Sequence, residues 1–160
     1  MNEKILKLLS KNARYTNAEL AVMVGLSEAE VAAEIENMEK SGFIRGYKAV
    51  VDWERLDKAM VSAVIELKVE PQSNVGFEDI AEEVMKYSEV ESVYLMSGGY
   101  DLCVLVKGKT FQEVAMFVAK QLAPMKYVLS TATHFVLRRY KELDIELVNG
   151  NVDDRGKLSL

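Results

Sequence analysis

The apolar positions of the first fifty residues recur at helical spacing in three short runs. Ile5, Leu6, Leu8 and Leu9 form the first stripe, with Asn2 placed to cap it. The second run opens on Thr16-x-x-Glu19, a capping box in which side chain and backbone satisfy each other's free groups. Its expected inward residues are Leu20, Met23 and Val24. Gly25 supplies the left-handed position that a tight turn between helices requires. Ser27-x-x-Glu30 is a second capping box, and its helix runs to about Ser41, where Gly42 ends it. Val31, Ile35 and Met38 fall on one face of that third helix. Ser27, Glu30, Ala33, Glu34 and Asn37 fall on the other. Two helices separated by Gly25-Leu26 have the spacing of a helix-turn-helix, in which the second helix enters the DNA major groove. Any small three-helix bundle shows such stripes, so the pattern alone leaves both readings open.

Beyond Gly42 the period changes. Phe43 to Asp52 alternates and is rich in β-formers, which predicts a strand; Trp53 to Lys58 reads as a turn or short helical link. Met60 to Val69 predicts a strand ended by Pro71. Phe77 to Tyr87 predicts an amphipathic helix with Phe77, Ile80, Ala81, Val84 and Met85 inward. Val90 to Met96 and Leu102 to Lys107 are predicted strands around Ser97-Gly98-Gly99-Tyr100-Asp101. Thr110-x-x-Glu113 is a third capping box that starts a further helix, and Val128 to Leu137 is the last strand. The order β-α-β-β-α-β predicts a ferredoxin-like sheet with helices on one face, hence an α+β chain. The expected division is 1–45 for the helix-turn-helix, 46–58 for a strand and linker, 59–147 for the ferredoxin-like domain and 148–160 for a polar tail.

Composition narrows the chemistry. Cys103 is the one cysteine and His134 the one histidine among 160 residues, which removes disulfides, CxxC motifs and His-rich metal sites. Apolar runs fall short of the ~20 residues that span a bilayer, and the start has no signal-peptide core. A reducing cytoplasm is the expected compartment. No Ser-His-Asp set, P-loop or metal-ligand cluster is present, so neither enzymatic activity nor a cofactor or metal is expected. His134, beside Phe135, reads as a packing or surface residue. Asp79, Glu82 and Glu83 read as a solvated helix face, and Arg138, Arg139 and Lys141 as a small basic cluster.

Taken together, these residues resemble the Lrp/AsnC (feast/famine) family of transcriptional regulators, named for the leucine-responsive regulatory protein. The resemblance runs through Asn12 to Ala21, Val24-Gly25-Leu26-Ser27, Val31, Ile35, Met38, Glu39 and Gly42 to Tyr47. In the second half it rests most on Gly98-Gly99-Tyr100-Asp101. It implies a (winged) helix-turn-helix joined to an effector-binding domain, and a homodimer packed across a two-fold axis that assembles further into tetramers or octamers. It also implies an amino-acid effector held by Gly98, Gly99, Tyr100 and Asp101, with Thr131 and Thr133 opposite. The uncovered N–H groups of the two glycines suit a carboxylate, and Asp101 suits an α-ammonium group. A plain hairpin turn capped by Asp101 is the alternative.

Charge complicates the DNA reading. The formal net charge is −5, and Met1 to Asp52 carries seven cations against eight anions. The third helix carries Glu28, Glu30, Glu34, Glu36 and Glu39 against Lys40, although affinity for DNA comes largely from neutralised phosphates. Glu28 and Glu30 suit a helix N-terminus; Glu34 and Glu36 have no local reason to be acidic. The expected DNA-facing set is Lys11, Arg14, Asn17, Ser27, Glu30, Ala33, Glu34, Asn37, Arg45 and Lys48. Two other readings stay open: a protein-interaction module of this architecture that no longer binds duplex DNA, and an enzyme resembling siroheme decarboxylases. The latter would need more histidine and basic groups to hold a polycarboxylate.

Overall fold

The computed structural model describes residues 2–53 and 60–147, and the chain divides into two compact units, Met1–Ala49 and Val50–Leu160. The expected tail, and the link beyond Trp53, lie outside the described residues.

The first unit is three helices: α1 (Glu3–Lys11), α2 (Asn17–Val24) and α3 (Glu28–Lys40). Both capping boxes predicted in this unit form, whereas the third, at Thr110, is half formed: its hydroxyl accepts the Glu113 N–H at 3.0 Å, but the Glu113 carboxylate accepts the Lys109 N–H instead. The Thr16 hydroxyl accepts the Glu19 N–H at 3.2 Å, and the Glu19 carboxylate accepts the Thr16 N–H at 2.8 Å. Ser27 and Glu30 repeat this at 3.3 and 2.8 Å. Between α2 and α3, Gly25 sits at φ +75°, and its N–H and that of Leu26 both reach the Ala21 carbonyl. The two donors satisfy a carbonyl that the helix end would leave bare. Ile5, Leu20, Ala21, Val31 and Met38 form the buried core, with Ile35 packed on it. Met23 is a correction: its side chain is about half exposed, and Ala21 takes the inward place.

Phe43 to Asp52 is also corrected, because no strand forms there among the described residues. An alternating pattern marks a segment able to pair, but a strand exists only where a second strand supplies partners.

The second unit is a four-stranded antiparallel sheet with two helices. Its elements are β1 (Val61–Val69), α4 (Phe77–Met85), β2 (Val90–Leu95), β3 (Leu102–Gly108), α5 (Phe111–Phe117) and β4 (Val128–Phe135). A single π-helical turn, Val118–Leu122, extends α5. The strand order β2-β3-β1-β4 is the ferredoxin-like arrangement anticipated from the element order. Along β1, Ala63, Ile65, Leu67 and Val69 are buried against Ile80 and Val84 of α4 and Val114 and Phe117 of α5. Both helices therefore cover the same face. The alternate residues Val64, Glu66 and Lys68 lie on the opposite face and are only half-buried.

Met85 is not inward as its spacing suggested; it is 56% exposed at the end of α4. Asp79 is more than a solvated acid, since its carboxylate accepts the Gly76 N–H at 2.7 Å and caps α4. A two-stranded hairpin, β5 (Lys141–Glu142) and β6 (Ile145–Glu146), follows β4. Its turn places Leu143 at φ +46° and Asp144 at φ +64°.

Candidate functional site

The first candidate surface is the outer side of α3. Four of its five glutamates are engaged within the unit. Glu30 is held by its capping box, and its pKa is lowered chiefly by the Ser27 backbone N–H. Glu36 pairs with Lys40 one turn on, which also lowers its pKa. Glu39 accepts the Tyr47 hydroxyl at 2.9 Å, and burial together with this acid holds the phenol above its ordinary value. Glu34 is the decisive case. Its carboxylate accepts the Asn2 N–H at 2.9 Å, tying the middle of α3 to the start of α1 across 32 positions. The reason for an acid at positions 34 and 36 is therefore tertiary in one case and an i,i+4 pair in the other. Ala29, Ala32, Ala33 and Asn37 remain exposed on the helix, with Ser27 and Glu28 at its head.

The predicted cations flank this surface in sequence. Lys11 ends α1, and Arg14 lies in the turn to α2, its N–H bonded to the Asn12 side chain at 3.0 Å. Asn17, half-buried, is the first residue of α2. Arg45 folds its guanidinium over Gly42, within 3.1 Å of where a Cβ would stand. Gly42, at φ +75°, is left-handed and tightly covered, and its side-chain-free surface seats that arginine. Lys48 is exposed just beyond.

The second candidate is the turn between β2 and β3. Gly98 sits at φ +149°, a conformation that residues with a side chain rarely adopt. Gly99 has no such backbone need, and a Cβ added there would meet nothing within 4 Å among the described residues. Asp101 is held from both sides. Its N–H donates to the Leu67 carbonyl at 3.0 Å, and its carbonyl accepts the Met96 N–H at 2.8 Å. Its carboxylate accepts the Val69 N–H at 2.9 Å, and the Lys68 ammonium lies 3.7 Å away.

The sheet divides the remaining predicted effector residues. Thr131 pairs with Leu67 and Thr133 with Ile65, so both stand on the helix-covered face. Tyr100 lies beside Cys103 and Glu66 on the opposite face; burial first, then these neighbours, raises its pKa. Thr131 is two strand spacings, about 10 Å, from β3. One chain thus brings Tyr100 and Asp101 to the end of β1 but does not join Tyr100 to the threonines. Sequence reasoning missed Lys68 and Glu66, which alternate with core residues on a strand and carry no motif. Glu66 also faces His134, 3.3 Å from its Nε2.

Comparison with known proteins agrees with both halves. Residues 62–145 match the Lrp/AsnC ligand binding domain, and residues 2–45 match a winged helix-turn-helix DNA-binding family. An HTH-type transcriptional regulator of Bacillus subtilis (strain 168), YugG, is 40% identical over 95% of this chain and 92% of its own. The proline dehydrogenase transcriptional activator of Rhodobacter capsulatus is 31% identical over 88% and 91%. The transcriptional regulator NMB0573 of Neisseria meningitidis, solved with L-methionine, superposes with a TM-score of 0.69 at 28% identity. That match covers 87% of this chain and 89% of the other. These relatives are regulators of transcription, not enzymes, and no described helix is long and apolar enough to cross a membrane. With a helix-turn-helix at residues 2–45 and the effector domain at 62–145, the chain belongs to the Lrp/AsnC family of transcriptional regulators.

Proposed function

We propose that the chain is a cytoplasmic, amino-acid-responsive regulator that binds duplex DNA as a homodimer or a larger even-numbered assembly. The observation that carries the effector half is Gly99. Neither its backbone angle nor any neighbour among the described residues calls for glycine, which leaves its N–H uncovered on the turn. Backbone N–H groups at Gly98 and Gly99 would receive a carboxylate, and Tyr100 and Asp101 frame the turn. Thr131 and Thr133 join the site from a second copy, since the sheet separates them from Tyr100 within one chain. The L-methionine complex of the meningococcal regulator favours an amino acid as the ligand class.

For DNA, α3 presents Ser27, Ala33 and Asn37 to the major groove, and Lys11, Arg14, Asn17, Arg45 and Lys48 meet the backbone. Glu30 and Glu34 share that face, with their carboxylates committed to the Ser27 and Asn2 N–H groups. This engagement of the glutamates is what sets DNA binding above a protein-interaction module. Phe43 to Asp52, patterned as a strand but forming none among the described residues, pairs with the same segment of the second copy.

Fluorescence anisotropy with DNA from upstream of the protein's own gene, at low and near-physiological salt and with or without a pool of twenty amino acids, tests both halves. Salt-sensitive, sequence-selective binding altered by the pool is expected. Absence of binding at low salt would exclude the DNA reading. The variant Gly99→Ala should keep its melting temperature and DNA affinity but lose the response to the pool.

A further inference from the structure

Asp101 stands where an aspartate would be expected to meet the α-ammonium group of a bound amino acid, yet the geometry points to a different duty. On the β3 side of β1, the last regular partner is Leu102, opposite Leu67. Two residues on, the Val69 N–H points the same way, but β3 has already turned away and offers no carbonyl. The Asp101 carboxylate fills that place at 2.9 Å. The Asp101 N–H then bonds back to the Leu67 carbonyl at 3.0 Å, so one residue closes the end of β1 through both its backbone and its side chain. The Lys68 ammonium, 3.7 Å from the other carboxylate oxygen, adds a cation where a ligand's ammonium would have to approach. Beside β4, the ladder shifts register between Lys68 and Val69, so this is the point where β1 loses regular pairing on that edge too.

We propose that Asp101 is a positioning residue for the effector: it fixes the Gly98–Gly99 turn to β1 through the Val69 N–H and leaves the ammonium of the ligand to other groups. This rests on the turn being the effector site. The distinction is chemical. Holding an N–H needs an acceptor oxygen, which asparagine also has; meeting an ammonium group in a partly dry site needs the negative charge.

The test compares Asp101→Asn and Asp101→Ala in the full chain. The amino acid of the pool of twenty that most raises the native melting temperature serves as the probe. Its affinity is read by calorimetry, the Val69 amide by hydrogen exchange, and the effector-free protein by DNA binding. Asp101→Asn should bind the probe within about threefold of the native chain and keep the Val69 amide protected. Asp101→Ala should lose about tenfold or more in affinity, the scale of one orphaned donor, and expose that amide while its effector-free DNA binding holds. Should Asp101→Ala fail to fold, the asparagine variant decides alone. A loss of tenfold or more in Asp101→Asn with Val69 still protected would overturn the proposal and make Asp101 a direct ligand of the ammonium. Native-like binding by Asp101→Ala would overturn it as well. If no amino acid shifts the native protein, the effector assignment of the turn falls and the positioning role falls with it.

Discussion

Replacing Glu34 by alanine separates two accounts of the acidic recognition helix. In the structure the Glu34 carboxylate accepts the Asn2 N–H at 2.9 Å and is only partly exposed. A hydrogen bond to a charged group contributes about 1.5–3 kcal/mol when the donor is left orphaned. Asn2 lies at a helix start where water can replace the lost acceptor, so the cost falls below that range, to about 1 kcal/mol. For small domains this corresponds to a fall of roughly 4–8 °C in melting temperature. The unit of 49 residues, Met1–Ala49, should sit at the upper end of that range. Glu34→Gln keeps an acceptor oxygen and should lose less than half as much. DNA affinity, measured well below the transition, should stay within about twofold for Glu34→Gln. The slope of log affinity against log salt should not change, because no phosphate contact is gained or lost. The assay is far-UV circular dichroism of the helical transition alongside an anisotropy titration at several salt concentrations. If Glu34→Gln bound DNA several-fold tighter with an unchanged melting temperature, the carboxylate would be facing phosphates, and the assignment of Glu34 to the helix frame would be refuted.

Other perturbations test neighbouring parts of the argument. Gly108→Ala would set a Cβ 2.9 Å from a Val114 methyl, which is 2% exposed, so about 1–3 kcal/mol of stability should be lost in chemical denaturation. Leu143→Asn should stabilise the β5–β6 hairpin by about 0.5–1 kcal/mol, because asparagine tolerates the φ of +46° better than leucine. Slower hydrogen exchange at the Leu147 amide, bonded to the Tyr140 carbonyl, would report it, and unchanged exchange would count against the strain. Glu19 and Glu30 have pKa values lowered from 4.5, chiefly by the backbone N–H groups of Thr16 and Ser27. Folded values below unfolded ones mean that their contribution is complete above the unfolded value and is lost as pH falls through the folded one. The first unit should therefore soften on acidification below about pH 4.5, and a Glu19→Gln, Glu30→Gln double variant should show a flatter acid limb in thermal melts.

The parts of this molecule that were legible in its sequence are those whose causes are local. Thr16 and Glu19, or Ser27 and Glu30, lie within one helical turn of each other, so their spacing nearly determines the geometry they adopt. The order of strands and helices in the second unit follows from periods of 2 and 3.6 residues, and the order leaves few topologies open. What stayed hidden has a partner far along the chain or outside it. Nothing around Glu34 announces Asn2, so an acid that stabilises α1 reads as one that repels DNA. Asp101 fits two roles by residue type, and only the position of the Val69 N–H shows which group holds its carboxylate. The β5–β6 hairpin escaped because its turn is Leu143-Asp144, not the Asn-Gly or Asp-Gly pair that such dihedrals favour. Phe43 to Asp52 is the converse: the pattern is right for a strand, and the partner is missing from the described chain. That failure has the same physical origin as the split between Tyr100 and the two threonines. In each case the residues carry an arrangement that the described chain leaves incomplete, and the second copy proposed above would complete both, so the pattern is legible in the sequence while its partner is not.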